Sequence, residues 1–469
     1  MNLEAEILTW SATKLTGGIA TGEVSASEVL EAHIDRIEAT DGRVNAFTGK
    51  SYPRARAEAR AIDAKRARGE VLPPLAGVPY AVKNLFDIAG EITLAGSRVN
   101  RDHAPASGDA FLVQRLQTAG AVLVGALNMD EYAYGFTTEN THYGPCRNPH
   151  DLRCIAGGSS GGSGAAVAAR QVPLALGSDT NGSIRVPASL CGVWGLKPTF
   201  GRLSRRGTYP FVHSIDHLGP LANSLESLAL AYDALQGPDA LDPGCHATQT
   251  DPTLETLGRG ADGLRIGLLQ GYFHDHATAP AREAVALAAR TLGATADVQW
   301  PDPVLGRAAA FVISASEGGG LHLEDLRTRA DDFEPLSVDR FIAGALQPAA
   351  WYLRAQRFRR VYRDKVQALF RQWDVLLAPA TPVSAPLIGT EWLDINGQQM
   401  PCRPSMGLLT QPISFAGCPV VTAPMWPSGT GGLPLGVQLI AAPWREDLAL
   451  RAAMQLQQAG VAHLQPVAL

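Results

Sequence analysis

The stretch GSDTNGSIRVP occupies residues 177–187 and continues the apolar run VPLALG, residues 172–177. The apolar run predicts a β-strand, and the polar, glycine-containing sequence after it predicts a turn. Pro187 is tolerated only near the start of a helix, so we expect a helix to follow the turn. Consecutive backbone N–H groups in such a turn can converge on an oxyanion, and the residues concerned are Thr180, Asn181, Gly182 and Ser183.

Helical and strand patterns alternate on both sides of this stretch. Ser25 and Glu28 form a capping box ahead of apolar residues at helical spacing. An amphipathic helix over residues 109–118 precedes the continuous apolar run AVLVGALN, which predicts a strand. Near the far end, PVVTAPM and PLGVQLIAA predict two strands, and residues 446–458 predict the closing helix. Alternating elements with fully apolar strands predict an α/β fold, in which a mostly parallel or mixed sheet is covered by helices on both faces.

The chain divides into four segments, with no internal repeat and no low-complexity linker between them. Residues 1–70 are predicted to be helical, and residues 71–235 hold the candidate catalytic side chains. Residues 236–308 are less regular and richer in turn residues, which favours an elaboration of the sheet over a separate domain. Residues 309–469 complete the sheet and the pocket. We therefore expect one domain spanning residues 1–469.

Composition excludes several classes of protein. The 469 residues are 46% hydrophobic and 18% charged, which is typical of a chain with a large core and not of a disordered one. A net charge of -5 offers no cationic surface for nucleic acid or an anionic membrane. The six cysteines form no Cys-x-x-Cys pair, which predicts reduced thiols and no metal site. With no basic-apolar leader and no apolar run that could span a bilayer, we expect a cytoplasmic protein without cofactor, nucleic-acid or membrane partner.

The glycine-rich stretch GGSSGGSG, residues 157–164, permits three interpretations. A phosphate cradle is disfavoured because no Gly-Lys-Ser/Thr follows. Ser159 and Ser160 each fit the Gly-x-Ser-x-Gly elbow of α/β-hydrolases, but the preceding NPHDLRCIA is not predicted as a strand, and no later histidine lies in a recognisable motif. A structural glycine turn is the third interpretation. The stretch alone does not decide among them.

A serine nucleophile needs a base, and two lysines have the surroundings to supply one. Lys83 stands in GVPYAVKNLF, and Lys197 stands in GVWGLKPTFGRLS. Burial among apolar residues lowers the pKa of a lysine, so that the neutral amine can act as a base. A structural lysine bonded to a carbonyl would have the same sequence signature. A third lysine, Lys14, fits Ser-x-x-Lys but lies in the N-terminal segment, where we expect no site.

Taken together, these motifs resemble the amidase signature family over essentially the whole chain. The resemblance rests on GVPYAVKNLFD, GGSSGGSGAAVAA, GSDTNGSIRVPAS and CGVWGLKPTFGRLS, and on residues 129–151, MDEYAYGFTTENTHYGPCRNPHD. It implies one α/β domain with a large mixed sheet and a Ser–cis-Ser–Lys triad. By the same resemblance, Ser183 is the nucleophile, Ser159 lies in a cis peptide and relays the proton, and Lys83 is the base.

The resemblance also assigns the oxyanion hole to the N–H groups of Thr180, Asn181, Gly182 and Ser183. Asn181 stands where the family usually has glycine. Because asparagine tolerates positive φ better than most residues, we expect the turn to survive, with the side chain narrowing the pocket. Asp179 and Arg185 are expected to brace the turn.

Within the family, MDEYAYGFTTENTHYGP combined with NGSIRVP is most similar to hydrolases of biuret or its N-carboxylated form, which act in cyanuric acid breakdown. The alternative is the A subunit of a tRNA-dependent amidotransferase, which releases ammonia from glutamine and works only with partner subunits. A basic run at residues 354–365 carries little weight for that alternative, since such runs are usually solvated helix faces. An idle scaffold protein is disfavoured because the Lys and both Ser positions are intact.

Substrate recognition is the least determined part of the sequence. A carboxylated substrate needs a cation or a set of N–H donors, and we nominate Tyr134, Arg403 and Gln411 as substrate-binding residues. Relatives on both branches pair with a small helical protein, so the resemblance implies a homo-oligomer, a companion subunit or both.

Overall fold

The computed structural model of the chain describes residues 3–294 and 296–469. Within these ranges lie eighteen α-helices, α1 to α18 in chain order: Leu3–Ile7, Ala12–Thr21, Ala26–Val44, Tyr52–Ala67, Phe111–Thr118, Gly161–Ala168, Arg185–Cys191, Leu225–Leu235, Thr253–Thr256, Tyr272–Asp275, Ala279–Thr291, Pro303–Leu321, Leu323–Thr328, Val338–Ala345, Ala349–Leu369, Cys402–Ser405, Gln411–Ala416 and Glu446–Gln458. The same ranges hold seventeen strands, β1 to β17: Phe47–Lys50, Pro79–Lys83, Val122–Leu127, Glu139–Asn140, Gly144–Pro145, Arg147–Asn148, Asp151–Ile155, Leu174–Asp179, Trp194–Lys197, His217–Ala222, Ile266–Leu269, Ala296–Val298, Val375–Pro379, Trp392–Ile395, Gln398–Pro401, Val420–Met425 and Leu435–Ala441.

Eleven of the strands form one mixed sheet in the order β1-β3-β2-β8-β10-β9-β16-β17-β13-β11-β12. Strand β2 is parallel to β3 and β8, and β11 is parallel to β12 and β13. The other neighbours in the sheet are antiparallel. Every residue of β2, β3, β8, β10 and β16 is buried, so both faces are covered. The predicted α/β fold with a large mixed sheet is confirmed.

All four sequence segments contribute strands to this sheet. The least regular segment, residues 236–308, adds β11 and β12 at one edge. Its predicted end at residue 308 falls inside α12, which runs over Pro303–Leu321. The helix has a proline in its first turn and continues without interruption, so residue 308 is not a boundary in the structure.

Two further features differ from the sequence analysis. The N-terminal segment is not wholly helical, because β1 pairs antiparallel with β3 at the sheet edge. The sequence just before Ser159 does contain a strand, β7, which pairs with β6 outside the main sheet. Both strands are short and half-exposed, so their sequences lack the long apolar run that marks the central strands.

Candidate active site

The motif residues meet where two central strands end. Lys83 is the last residue of β2, and Ser178 lies near the end of the neighbouring parallel strand β8. Ser183 lies in the turn that joins β8 to α7, and Ser159 lies just before α6. Because parallel strands point the same way, their carboxyl ends place these groups at one edge of the sheet.

Lys83 is fully buried and is hydrogen-bonded to two serines. Its Nζ atom donates to Oγ of Ser159 over 2.6 Å and to Oγ of Ser178 over 2.8 Å. Burial lowers the pKa of the Lys83 amine to about 7, although the carboxylates of Asp130 and Asp216 oppose the shift. A large fraction of the amine is therefore neutral near neutral pH. Ser178 was not identified from the sequence, since its side chain takes part through the register of two strands.

Lys197 is the second candidate base, and its surroundings differ from those of Lys83. It is also fully buried, and burial together with the Arg185 guanidinium lowers its pKa to about 7. Its Nζ atom donates to the carbonyl of Pro198 over 2.9 Å, and it has no serine partner in the described part of the chain. Of the two lysines, Lys83 is the one placed to exchange a proton with a serine.

The two serine motifs lie side by side. The peptide bond between Gly158 and Ser159 is cis. The N–H of Ser160 donates to the carbonyl of Ser183 over 3.3 Å, which brings Ser159 and Ser183 into adjacent backbone segments. The Ser160 hydroxyl is committed to the backbone of Ser178, whereas the Ser183 hydroxyl has no hydrogen-bond partner in residues 3–294 and 296–469. Of Ser160 and Ser183, only Ser183 therefore has a hydroxyl that is not bonded to the protein within the described residues.

The turn after β8 presents backbone donors without acceptors. Across the described residues, the N–H groups of Asn181, Gly182 and Ser183 donate to no protein atom. Thr410 Oγ1 donates to the Asn181 carbonyl over 2.7 Å and holds the turn in place. The positive φ of the turn, 142°, belongs to Gly182 and not to Asn181, where the sequence analysis had considered it. Three unpaired N–H groups in one turn are what an oxyanion requires.

Two carboxylates, Asp179 and Asp216, stabilise this turn through hydrogen bonds. Asp216 accepts a hydrogen bond from the Thr180 hydroxyl over 2.6 Å. Asp179 accepts two from Arg185, over 2.9 Å and 3.0 Å, and both side chains are fully buried. Burial alone would raise the pKa of the Asp179 carboxyl, but the Arg185 guanidinium lowers it well below its usual range. Asp179 and Arg185 therefore brace the turn, as their sequence positions predicted.

A narrow cavity of about 10 Å³ adjoins Ser183. Its walls come from the segment 133–136, the turn after β8 and helices α12, α14 and α17, including Tyr134, Asn181, Phe311, Arg340 and Gln411. Two of the three nominated substrate-binding residues, Tyr134 and Gln411, thus line the same cavity as Ser183.

Arg340 is a cation of this cavity that the sequence analysis missed. Its Nη1 atom donates to the Tyr134 carbonyl over 3.1 Å, and its guanidinium lies 3.8 Å from the centre of the Tyr134 ring. It forms no ion pair with any carboxylate of the described residues. Arg340 comes from α14, far along the chain from either serine motif, and no local pattern marks it.

Arg403, the third nominated residue, is not among those that line the cavity. Its guanidinium donates to Thr137 Oγ1 over 2.9 Å and to Asp130 Oδ1 over 3.3 Å. The Asp130 carboxylate in turn acts to raise the pKa of Lys83. The position of Arg403 favours a role in holding Asp130 over a role in binding substrate.

A second, larger cavity of about 490 Å³ lies next to the first. Ala133 and Thr180 line both cavities, and Ser178 and Asp216 line the larger one. The hydroxyl that holds Lys83 therefore borders this space.

Metal-binding clusters and membrane-crossing helices are both absent from residues 3–294 and 296–469. No three His, Cys, Asp or Glu side chains come together there in a way that could hold a metal ion. None of the described helices has the length and apolar character that crossing a membrane requires.

The class of protein follows from comparison with known families. The family model described as Amidase matches residues 28–450. The chain therefore belongs to the amidase signature family, and it is an amidase.

Individual relatives extend this result. The chain is 72% identical to AtzE, a subunit of the 1-carboxybiuret hydrolase of Pseudomonas sp. (strain ADP), over 95% of this chain and 98% of that protein. It is 39% identical to the A subunit of the glutamyl-tRNA(Gln) amidotransferase of Anaeromyxobacter sp. (strain K), over 94% of both. A solved structure described as "An unexpected vestigial protein complex reveals the evolutionary origins of an s-triazine catabolic enzyme" superposes with a TM-score of 0.97 at 71% identity, covering 97% of this chain and 100% of that one.

Proposed function

We propose that this chain hydrolyses a terminal C–N bond of 1-carboxybiuret, or of biuret, through an acyl-enzyme on Ser183. The overall change is R–NH–CO–NH₂ + H₂O → R–NH–COOH + NH₃. The observation that carries the proposal is the 2.6 Å contact between the Lys83 amine and the Ser159 hydroxyl, beside a cavity lined by Ser183. The substrate follows from the high identity to a protein of 1-carboxybiuret hydrolysis.

Proton transfer begins at Lys83. The neutral amine takes the proton of the Ser159 hydroxyl, and Ser159 takes the proton of Ser183 as its Oγ attacks the substrate carbonyl. The buried amine is suited to this role because burial lowers its pKa to about 7. Ser159 then returns the proton to the departing nitrogen, which leaves as ammonia.

The turn after β8 stabilises the charge that develops on the carbonyl oxygen. The N–H groups of Thr180, Asn181, Gly182 and Ser183 form the oxyanion hole in this proposal. The unpaired donors of Asn181, Gly182 and Ser183 support it. Water then attacks the ester on Ser183 by the same route in reverse, and the acid product is released.

Arg340 is suited to hold the carboxylate of the substrate. Its guanidinium lines the cavity, and burial lowers its pKa, as expected of a poorly solvated cation. A partly desolvated guanidinium without a carboxylate partner gains more from an anionic ligand than a solvated one does. This favours the N-carboxylated substrate over biuret itself.

Ammonia release from the purified protein tests the proposal. The substrates are 1-carboxybiuret, biuret, allophanate, malonamide and glutamine, and we expect the highest kcat/KM with 1-carboxybiuret. Ser183→Ala should remove turnover, while hydroxylamine should divert the wild-type acyl-enzyme to a hydroxamate. Release from glutamine alone would favour the amidotransferase alternative, and turnover by Ser183→Ala would exclude the assigned nucleophile.

We also infer that the chain works with a small helical companion protein. The 72% identical relative is described as a hydrolase subunit; the superposed structure is described as a complex. Two exposed apolar side chains, Leu346 just after α14 at 78% and Trp351 on α15 at 58%, offer one surface for it. Light scattering of the chain expressed alone, compared with the protein purified from its native host, tests this. A homo-oligomer that is stable and fully active alone would contradict it.

A further inference from the structure

Two buried polar atoms beside Ser183 have no partner. The side chains of Asn181 and Gln411 line the cavity and are 7% and 0% exposed. Asn181 Oδ1 and Gln411 Nε2 form no hydrogen bond. A buried polar atom left unpaired is energetically costly, so two of them in one cavity indicate groups that a ligand satisfies.

The orientation of Gln411 is fixed by Arg307. Arg307 Nε donates to Gln411 Oε1 over 2.8 Å. A guanidinium can only donate, so the amide oxygen must face it and the NH₂ group must face away. Gln411 therefore offers donors to the cavity and no acceptor. Arg307, which lies on α12, also packs against the ring of Phe311, another residue of the cavity wall.

Asn181 has the complementary arrangement. Its Nδ2 atom donates to Ser314 Oγ over 2.9 Å, which leaves the amide oxygen as the free acceptor. Ser314 also lies on α12, so one helix holds both amides. The cavity thus combines an unpaired acceptor, an unpaired donor and the Arg340 cation.

We propose that Asn181 and Gln411 determine substrate specificity, with Ser314 and Arg307 as their positioning residues. Asn181 Oδ1 accepts a hydrogen bond from a substrate N–H, and Gln411 Nε2 donates to a substrate carbonyl or carboxylate oxygen. The ligand class is an acylurea, in which N–H and C=O groups alternate. This inference rests on the proposed function and names what that site selects.

Biuret and malonamide test the role of Asn181 directly. They differ only in the central group, which is NH in biuret and CH₂ in malonamide. Competition against turnover of 1-carboxybiuret gives a Ki for each. We expect the wild type to bind biuret roughly ten- to a hundredfold more tightly, because malonamide leaves the Asn181 oxygen unpaired. Asn181→Ala should bring the two Ki values within about twofold of each other.

Ser314→Ala should lower the same preference, since Asn181 loses the hydroxyl that orients it. Ser316→Ala is the matched control: it lies on the same helix, but its hydroxyl bonds to Gln347 Oε1 over 2.9 Å. We expect this control to keep the wild-type preference.

Arg307 and Gln411 are tested as a pair. Gln411→Met should raise KM for 1-carboxybiuret by about tenfold and leave the biuret preference unchanged, because both competitors carry carbonyl groups. Arg307→Met should have a similar effect, and the double variant should be no worse than Gln411→Met alone. Additive effects would overturn the assignment of Arg307 as the residue that orients Gln411.

The outcomes distinguish a failure of the specificity assignment from a failure of the proposed function on which it rests. If wild-type protein releases no ammonia from 1-carboxybiuret or biuret, the proposed function fails. If it does, but shows no preference for biuret over malonamide, or keeps that preference in Asn181→Ala, the specificity assignment fails while the function stands.

Discussion

The Nζ atom of Lys83 lies 2.6 Å from the Oγ atom of Ser159, at the buried end of a central strand. If the neutral amine starts the reaction, activity requires that Lys83 be deprotonated. Because burial lowers its pKa to about 7, kcat/KM should be full above that pH and should fall as the pH drops below it. The measurement is a pH profile of kcat/KM in buffers of constant ionic strength.

Two variants show whether Lys83 is the group that titrates. Lys83→Arg should be inactive at every workable pH, since a guanidinium stays protonated. Lys197→Met should lower the melting temperature but keep the midpoint of the profile, although the pKa of Lys197 is also lowered to about 7. A midpoint that moves in Lys197→Met, or substantial activity in Lys83→Arg, would show that Lys83 is not the group that titrates.

Ser178→Ala should reduce kcat by about tenfold, because Lys83 loses one of its two hydroxyl partners. A hydroxyl that accepts from the amine favours the charged form, so its removal should also move the acidic limb of the profile to lower pH. Ser163→Ala is the matched control, since that buried hydroxyl donates to the Leu176 carbonyl over 3.0 Å and does not contact Lys83. If the acidic limb of the kcat/KM profile is unchanged in Ser178→Ala, the Ser178 hydroxyl does not influence the pKa of Lys83.

Gly182→Ala should lower kcat/KM by at least about a hundredfold, because the turn that carries Ser183 must move. A Cβ atom at this position would lie 2.1 Å from Thr410 Oγ1, at a φ of 142°. Gly460→Ala is the control for backbone strain without a steric clash. The φ of Gly460 is 72°, and a Cβ atom there meets nothing within 4 Å. We expect that control to lose a little stability and no activity, measured by thermal melting and ammonia release.

Arg185→Met should destabilise the fold by about 3–5 kcal/mol, because it leaves the Asp179 carboxylate buried without its partner. The double variant Arg185→Met/Asp179→Asn should recover part of that loss, since the uncompensated charge is gone. Urea unfolding at pH 7 measures both. A double variant less stable than the single one would show that Asp179 is not the source of the penalty.

The sequence predicted those parts of the molecule whose signal is local. Strands such as β3 and β8 are fully buried, so their apolar runs are visible without knowledge of the fold. Strand β1 was missed because four residues at a sheet edge carry little pattern. The turn that holds Ser183 follows a clear strand, and it was placed correctly between β8 and α7.

The recognition residues could not be predicted in the same way. Arg340 reaches the cavity from α14, and Arg307 reaches Gln411 from α12. Neither arginine is marked by the sequence of its own helix, because only the packing of the helices brings them to these positions. Lys83 and Lys197 were indistinguishable by composition, because both are fully buried and only their hydrogen-bond partners differ.

The residues proposed for catalysis and those proposed for substrate recognition come from different parts of the chain. Lys83, Ser159 and Ser183 all come from the first part of the chain, whereas Arg307, Arg340 and Gln411 come from α12, α14 and α17. The second set can therefore change in evolution, and the substrate with it, while the three residues proposed to break the C–N bond stay unaltered. The same separation makes this chain a practical parent for directed evolution, with diversity confined to a few helical codons.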